Sequence, residues 1–337
     1  MKMLRHVVTL AVFLLPMGCG GGKENAQPGS NTAGGKTLRM GMMPKLVGIG
    51  YFNACQKGAD EAAKELGVDL TYDGPPVDKA ELQAQMVEDW IALGYDVIAV
   101  APNDPEVIAP ALARAKAQGI TVITWDADAN PVSSGRETFV NQAPTDGIGN
   151  TLVDLMAEGI GGKGKTVIVT GSANSPNQNA WMAVMKSRLA EKYPGIQLLE
   201  TLVPDEDQNR ARQMTLDVIS AHPDLAGVWG ITSVSLPGTA EAVRQAGKTG
   251  KIYVTGLSLP STAKPYVLDG TVPRFVLWNP VDLGYLTVHV AKLLAEKKLT
   301  PGVHQIGRLA NVTVKEGEVV LGPPIVFDKD NIEKYDF

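Results

Sequence analysis

From residue 37 to residue 295 the chain alternates short apolar runs with longer amphipathic stretches at nearly even spacing. Strand-like runs at 37–43, 68–72, 97–101 and 121–125 are separated by helical patterns at 51–66, 78–93 and 105–118. Gly67, Gly94 and Gly119 follow these helical patterns, and Pro105 opens the third, as helix stop and start signals require. After an Asn/Pro/Ser-rich break at 130–135 the rhythm resumes. Strands are expected at 166–170, 197–203, 226–230, 252–256 and 272–278, with helices at 143–160, 177–193, 207–221, 237–246, 260–269 and 280–295. Only short strands at 311–314 and 319–321 follow. Strands alternating with helices of this length form βαβ units. Two such runs separated by a break predict an α/β fold with two doubly wound parallel-sheet lobes. The 337 residues, 44% of them hydrophobic, are enough for two cores.

The first 36 residues do not share the rhythm. Lys2 and Arg5 precede an apolar run at 7–15 that is too short to span a bilayer, and Gly18-Cys19 follows it. Residues 1–19 therefore read as a lipoprotein signal peptide with its anchor cysteine, Cys19 taking the lipid. Pro16 stands where an aliphatic residue is usual, which leaves export without a lipid as the alternative. Residues 20–36 read as a flexible Gly/Asn/Ser-rich tether. The expected location is the periplasm or the outer face of the membrane. Loss of residues 1–18 removes Lys2 and Arg5 and no acid, taking the formal charge from −5 to −7. A pI near 5.5 and the lack of a basic run argue against nucleic acid. If Cys19 is acylated, Cys55 has no partner in the chain and reads as a buried, inert thiol.

In doubly wound sheets, ligands sit beyond the carboxyl ends of the strands, and two facing lobes put the default site between them. Lys45, Tyr51 and Phe52 follow the first strand, and Asp126 and Asp128 the fourth. Asn177 and Gln178, then Thr232 and Ser233, then Ser258, then Trp278 and Asn279 follow later strands. One ammonium, carboxylates, amides, hydroxyls and aromatic faces form the mixture that a sugar needs. Its hydroxyls both donate and accept, and its C–H faces pack on rings. Plainer roles exist for each residue: Trp125 and Trp278 as core, Asp128 as a structural group where the chain crosses between lobes, Asn177 as a helix cap, Lys45 as a solvated lysine.

Residues 159–166 read Gly-Ile-Gly-Gly-Lys-Gly-Lys-Thr, which fits the phosphate-loop pattern. That mechanism needs a strand before the loop and a helix after it, and here the order is reversed, so a helix-to-strand turn is expected. The four histidines are not at metal-ligand spacing, and there is no G-x-S-x-G elbow. No cofactor, metal or catalytic constellation is expected.

The chain resembles periplasmic-binding proteins of the ribose type across residues 37–337. Pro-Lys-Leu-Val-Gly-Ile-Gly-Tyr-Phe at 44–52, Thr-Tyr-Asp-Gly-Pro at 71–75 and Lys-Asp-Asn-Ile-Glu-Lys-Tyr-Asp-Phe at 329–337 are similar to autoinducer-2-binding proteins. Asn-Gln-Asn at 177–179, Tyr-Val-Thr-Gly-Leu at 253–257 with Pro260-Ser261, and Trp-Asn-Pro-Val-Asp-Leu-Gly-Tyr at 278–285 are similar to rhamnose-binding proteins. The resemblance implies a type I periplasmic-binding-protein fold with three crossings, near 126–141, 278–280 and 312–318. The lobes would be 37–140 with 280–315, and 141–279 with 316–337. It implies a monomer that closes on a small sugar and delivers it to an ABC permease with cytoplasmic ATPase subunits. Lys45 and Asp126 match the autoinducer-2 site. Asn177-Gln178 stands where that site has Asp-Gln, and Ile231-Thr232-Ser233 where it has Pro-x-Ala. The expected ligand is thus rhamnose or a related sugar, with autoinducer-2 as the alternative. A receptor-coupled sensor is a rival role. A repressor would need a DNA-binding domain where the export signal stands. A hydrolase would need carboxylates on opposite sides of a bond, which Asp126 and Asp128, two residues apart, cannot supply.

Overall fold

The computed structural model describes residues 36–337. The readings of a signal peptide at 1–19, a lipid on Cys19 and nearly all of the tether fall outside the described residues. Thr37–Phe337 forms one compact unit.

Along the chain the first run is β1 (Arg39–Met43), α1 (Gly50–Leu66), β2 (Asp69–Tyr72), α2 (Ala80–Ala92), β3 (Val97–Val100), α3 (Pro105–Ala117), β4 (Thr121–Trp125), α4 (Pro131–Ser134) and β5 (Thr138–Asn141). The second is α5 (Thr145–Ile160), β6 (Gly164–Val169), α6 (Pro176–Lys192), β7 (Ile196–Leu202), α7 (Gln208–Ala221), β8 (Leu225–Gly230), α8 (Ser235–Gln245), β9 (Tyr253–Gly256), α9 (Pro260–Leu268) and β10 (Arg274–Leu277). The chain ends with α10 (Pro280–Ala295), β11 (Gly302–Ile306), β12 (Leu309–Lys315), β13 (Glu318–Val320) and β14 (Ile325–Asp328).

One sheet has the order β11-β12-β13-β5-β4-β3-β1-β2, and a second has β7-β6-β8-β9. β10 pairs antiparallel with β14 and meets the second sheet through a bridge between Leu257 and Val276. β1 to β5 run parallel, as do β6 to β9. β3 is buried at every residue, as a parallel strand covered on both faces must be. Helix ends follow their local chemistry. Gly67 closes α1 in the left-handed region, and the Asp104 carboxylate caps α3 ahead of Pro105. α1 lies against α10. A Cβ on Gly58 would sit 1.7 Å from Val281 O, and one on Gly284 1.8 Å from Cys55 O, so both glycines are needed for that approach.

The region read as a break at 130–135 contains α4, capped by Asn130, and β5 follows it. β5 pairs with β4 and β13, so the first sheet extends beyond what periodicity shows. Two of the expected crossings move as a result. The chain leaves the first sheet at 142–144, between β5 and α5, because 126–141 holds a strand of that sheet. It passes from β10 to α10 at 278–279, where a crossing was expected. It leaves the first sheet again at 321–324, not at 312–318. β13 belongs to the first sheet, although the sequence put residue 316 onward in the second lobe. β5 lies where periodicity shows no strand, and β13 is the short strand expected at 319–321, but neither shows in sequence which sheet it joins. Their partners fix them: Phe139 N donates to Gly317 O, and Asn141 Nδ2 to Glu318 Oε1 at 2.9 Å.

Candidate functional site

Lys45 follows β1 and is buried. Its backbone carbonyl accepts from Asn103 Nδ2 at 3.0 Å, and Gln83, itself buried, accepts from Asn103 N. The loop is therefore set by α2 and by the end of β3. The Lys45 ammonium reaches the other sheet's side, donating to Ser175 Oγ and Asn177 Oδ1 at 2.6 Å each. Asp126 Oδ2 lies 4.0 Å away. Asp126 follows β4 with φ 62°, a left-handed backbone that aspartate tolerates better than most residues. The turn aims its buried carboxylate at Tyr51, whose hydroxyl donates to Oδ1 at 2.7 Å. Trp278 Nε1 then donates to the Tyr51 hydroxyl at 2.8 Å.

These rings form one wall of a cleft. Tyr51 meets Phe52 and Trp278 edge-on, with centroids 5.1 and 6.1 Å apart, and Trp181 lies against Trp278 at 5.9 Å. The cleft encloses about 620 Å³, its open mouth included.

The other wall grows from the start of α6. Ser175 is the residue before this helix, and Asn177 lies in its first turn. Asn177 Nδ2 donates to Asp126 O and Oδ2 at 3.2 and 3.3 Å while its oxygen accepts from Lys45, so one amide serves both charged groups. Gln178 is a buried brace. Its Oε1 accepts from Thr170 Oγ1, Gly171 N and Ser172 N, and its Nε2 donates to Glu206 Oε1 at 3.0 Å.

Burial sets the electrostatics. It pushes the Lys45 ammonium down, while Asp126, Glu206 and Asp78 push it back. It pushes the Asp126 and Glu206 carboxyls up, with Lys45 opposing in both cases. The Tyr51 hydroxyl is pushed well up, by burial first and by Asp126 next. The same burial raises the Cys55 thiol well above its ordinary value, and that residue is a free, buried cysteine.

Of the residues singled out in sequence, Lys45, Tyr51, Phe52, Asp126, Asn177 and Gln178 line the cleft, as do Thr232, Ser233 and Trp278. Asn279 does not. Its oxygen caps α10 by accepting from Val281 N and Asp282 N. Ser258 does not either. It is fully buried beyond β9, and its hydroxyl has no hydrogen-bond partner among the described residues. Its neighbour Leu257 faces the cleft instead. Trp125 is core, with Nε1 donating to Met43 O at 3.1 Å. Asp128 is structural, held by Thr124 Oγ1 and by the Arg136 guanidinium at 2.6 Å. Sequence reasoning missed Ser175, Trp181, Asp78, Asn103 and Glu206. Glu206 follows β7, so the strand-end rule applied there finds it. Asn103 follows β3 and is found by the same rule, whereas Asp78 depends on a loop path that no local pattern gives.

The phosphate-loop-like stretch is a turn. Gly161 and Gly162 are left-handed after α5, β6 follows, and Lys165 pairs with Asp224 at 2.9 Å on the surface. Among the described residues no group of His, Cys, Asp or Glu could hold a metal ion, and no helix is long and apolar enough to cross a membrane.

A family profile described as "Periplasmic binding protein domain" matches residues 40–299. The D-allose-binding periplasmic protein of Escherichia coli K12 is 27% identical over 242 residues, 68% of this chain and 75% of that protein. An ABC transporter solute-binding protein from Clostridium phytofermentas, solved with bound L-rhamnose, superposes with a TM-score of 0.83 at 28% identity, covering 89% of this chain and 98% of that one. LsrB from Clostridium saccharobutylicum, solved in complex with AI-2 (autoinducer-2), gives 0.83 at 25% identity, covering 89% and 100%.

Proposed function

The chain belongs to the periplasmic binding protein domain family, whose members here are binding proteins of transporters and not enzymes, and on that premise we propose that it is the extracytoplasmic solute-binding protein of an ABC sugar importer. The ligand is rhamnose or a related small sugar, bound between the two sheets with their helices. The bound form is delivered to a membrane permease driven by cytoplasmic ATPase subunits. Hinge motion at 142–144, 278–279 and 321–324 closes the lobes on the ligand. Cys19 carries the lipid that holds the protein at the membrane, residues 20–36 form the tether, and the protein acts as a monomer.

The observation that carries this reading is the cross-cleft set of Lys45, Asn177 and Asp126 facing an aromatic wall. Donors and acceptors alternate there, as sugar hydroxyls need, beside ring faces for the C–H surface. The amide at Asn177 supports the rhamnose assignment. An aspartate there would bring two carboxylates together around one ammonium. Lys45 and Asp126, shared with autoinducer-2 sites, support autoinducer-2 as the second reading.

The test is isothermal titration of the body from Lys36 onward with L-rhamnose, D-allose and autoinducer-2. Micromolar or tighter binding of L-rhamnose alone is the expected result. Binding of autoinducer-2 alone reverses the ligand assignment, and silence from all three removes the basis for it.

A further inference from the structure

Glu206 is the group in the cleft whose presence needs the most explanation. It and Asp205 both have left-handed backbone, φ 54° and 56°, a pairing of non-glycine residues that surrounding structure has to enforce. The enforcement is visible. Glu206 N donates to Gly171 O, and Gln178 Nε2 donates to Glu206 Oε1 at 3.0 Å. The carboxylate also fills the space over Gly171, where a Cβ would lie 1.9 Å from Oε1. The end of β6, the first turn of α6 and the loop after β7 therefore combine to hold one acid in the cleft. An acid serving only solubility needs none of these.

The charge around it is lopsided. Among the described residues lining the cleft, Lys45 is the one cation, against Asp78, Asp126 and Glu206. Two of the three ammonium hydrogens are already given to Ser175 and Asn177. An anionic ligand would find little free positive charge and a buried carboxylate facing it.

Deepening the sugar-binding reading and resting on it, we propose that Glu206 is the specificity-determining acceptor of the second wall. It takes a hydroxyl of a neutral polyhydroxylated ligand and turns away sugars that carry a carboxylate or phosphate. Burial pushes its carboxyl up, with Lys45 and the Gln178 amide opposing.

The test compares wild type with Glu206→Gln by isothermal titration against L-rhamnose and D-allose. D-glucuronate and D-ribose 5-phosphate serve as competitors at millimolar concentration. Glutamine keeps the shape and the contact with Gln178 and removes the charge. At least a tenfold loss of affinity for the sugar that wild type binds is expected, with an unchanged thermal transition. Neither anion should displace that sugar from wild type. Unchanged affinity in E206Q, or displacement by either anion from wild type, overturns the inference and leaves the sugar reading standing. Failure of wild type to bind either neutral sugar overturns both. If E206Q loses its thermal transition, the competition on wild type decides.

Discussion

The Lys45 ammonium and the Asn177 side-chain oxygen lie 2.6 Å apart although 132 residues separate them in the chain. The contact joins the loop after β1 to the start of α6, and so ties the two walls of the cleft together. Asn177 also donates to Asp126, so the amide mediates between a cation and an anion that are themselves 4.0 Å apart.

Asn177→Asp replaces the donor with a second carboxylate beside Asp126. Titration should show L-rhamnose binding at least about tenfold weaker at neutral pH, partly recovering on acidification as one proton is shared between the two acids. Affinity equal to wild type at neutral pH would remove Asn177 from the binding machinery.

Lys45→Met leaves Asp126 buried with its cation gone. Urea unfolding should show a loss of about 3 kcal/mol, the size seen when one partner of a buried pair is removed. Lys45→Met with Asp126→Asn should regain most of that stability and none of the sugar binding. A double variant no more stable than K45M would mean that the pair is not coupled.

Asp126 also predicts opposite responses to pH. Burial raises its carboxyl in the folded protein, while in the unfolded chain it titrates in the ordinary carboxylate range. As pH falls through the raised value, the folded form takes up its proton first, so this group adds stability on acidification. The same proton removes an acceptor that Tyr51 uses and that the proposed sugar would use. The difference between wild type and D126N should therefore show stability rising and affinity falling over one pH window. If both fall together, Asp126 does not titrate as described.

Gly58→Ala tests what positions the aromatic wall. The added methyl meets the Val281 carbonyl and forces α1 away from α10. A loss of about 2–3 kcal/mol is expected, with weaker sugar binding because Tyr51 and Phe52 ride on α1. Wild-type stability in G58A would show that the helices can separate freely.

Cys55 should be silent to thiol reagents in the folded body and react fully in denaturant, because burial both hides the thiol and disfavours the thiolate. Rapid labelling of folded protein would contradict its place in the core.

What was legible in sequence follows from local physics. Apolar periods of two and of 3.6, with Gly and Pro at the helix ends, marked β1 to β4 and most later elements to within a few residues, because each needs only its own side chains to declare it. The rule that sites form at strand ends led to Lys45, Asp126 and Asn177. The reversed helix-to-strand order at 159–166 was enough to read the phosphate-loop pattern as a turn. β5 was not legible, and although the short strand expected at 319–321 is β13, its place beside β5 in the first sheet comes only from its partners. Nor could sequence separate Asn177 from Asn279. Both stand at the start of a helix, yet Asn279 caps α10 while Asn177, whose oxygen also accepts from Gln178 N, spans Lys45 and Asp126. Glu206 needed Gly171, 35 residues earlier, to leave room for it. The sequence alone therefore determined the kind of fold and the chemistry available at the strand ends, because short-range periodicity and residue type carry both. Which side chains meet across the cleft, and in which protonation state, was decided only by the packing of two sheets, because hydrogen bonds and desolvation depend on distances between residues that the chain order keeps far apart.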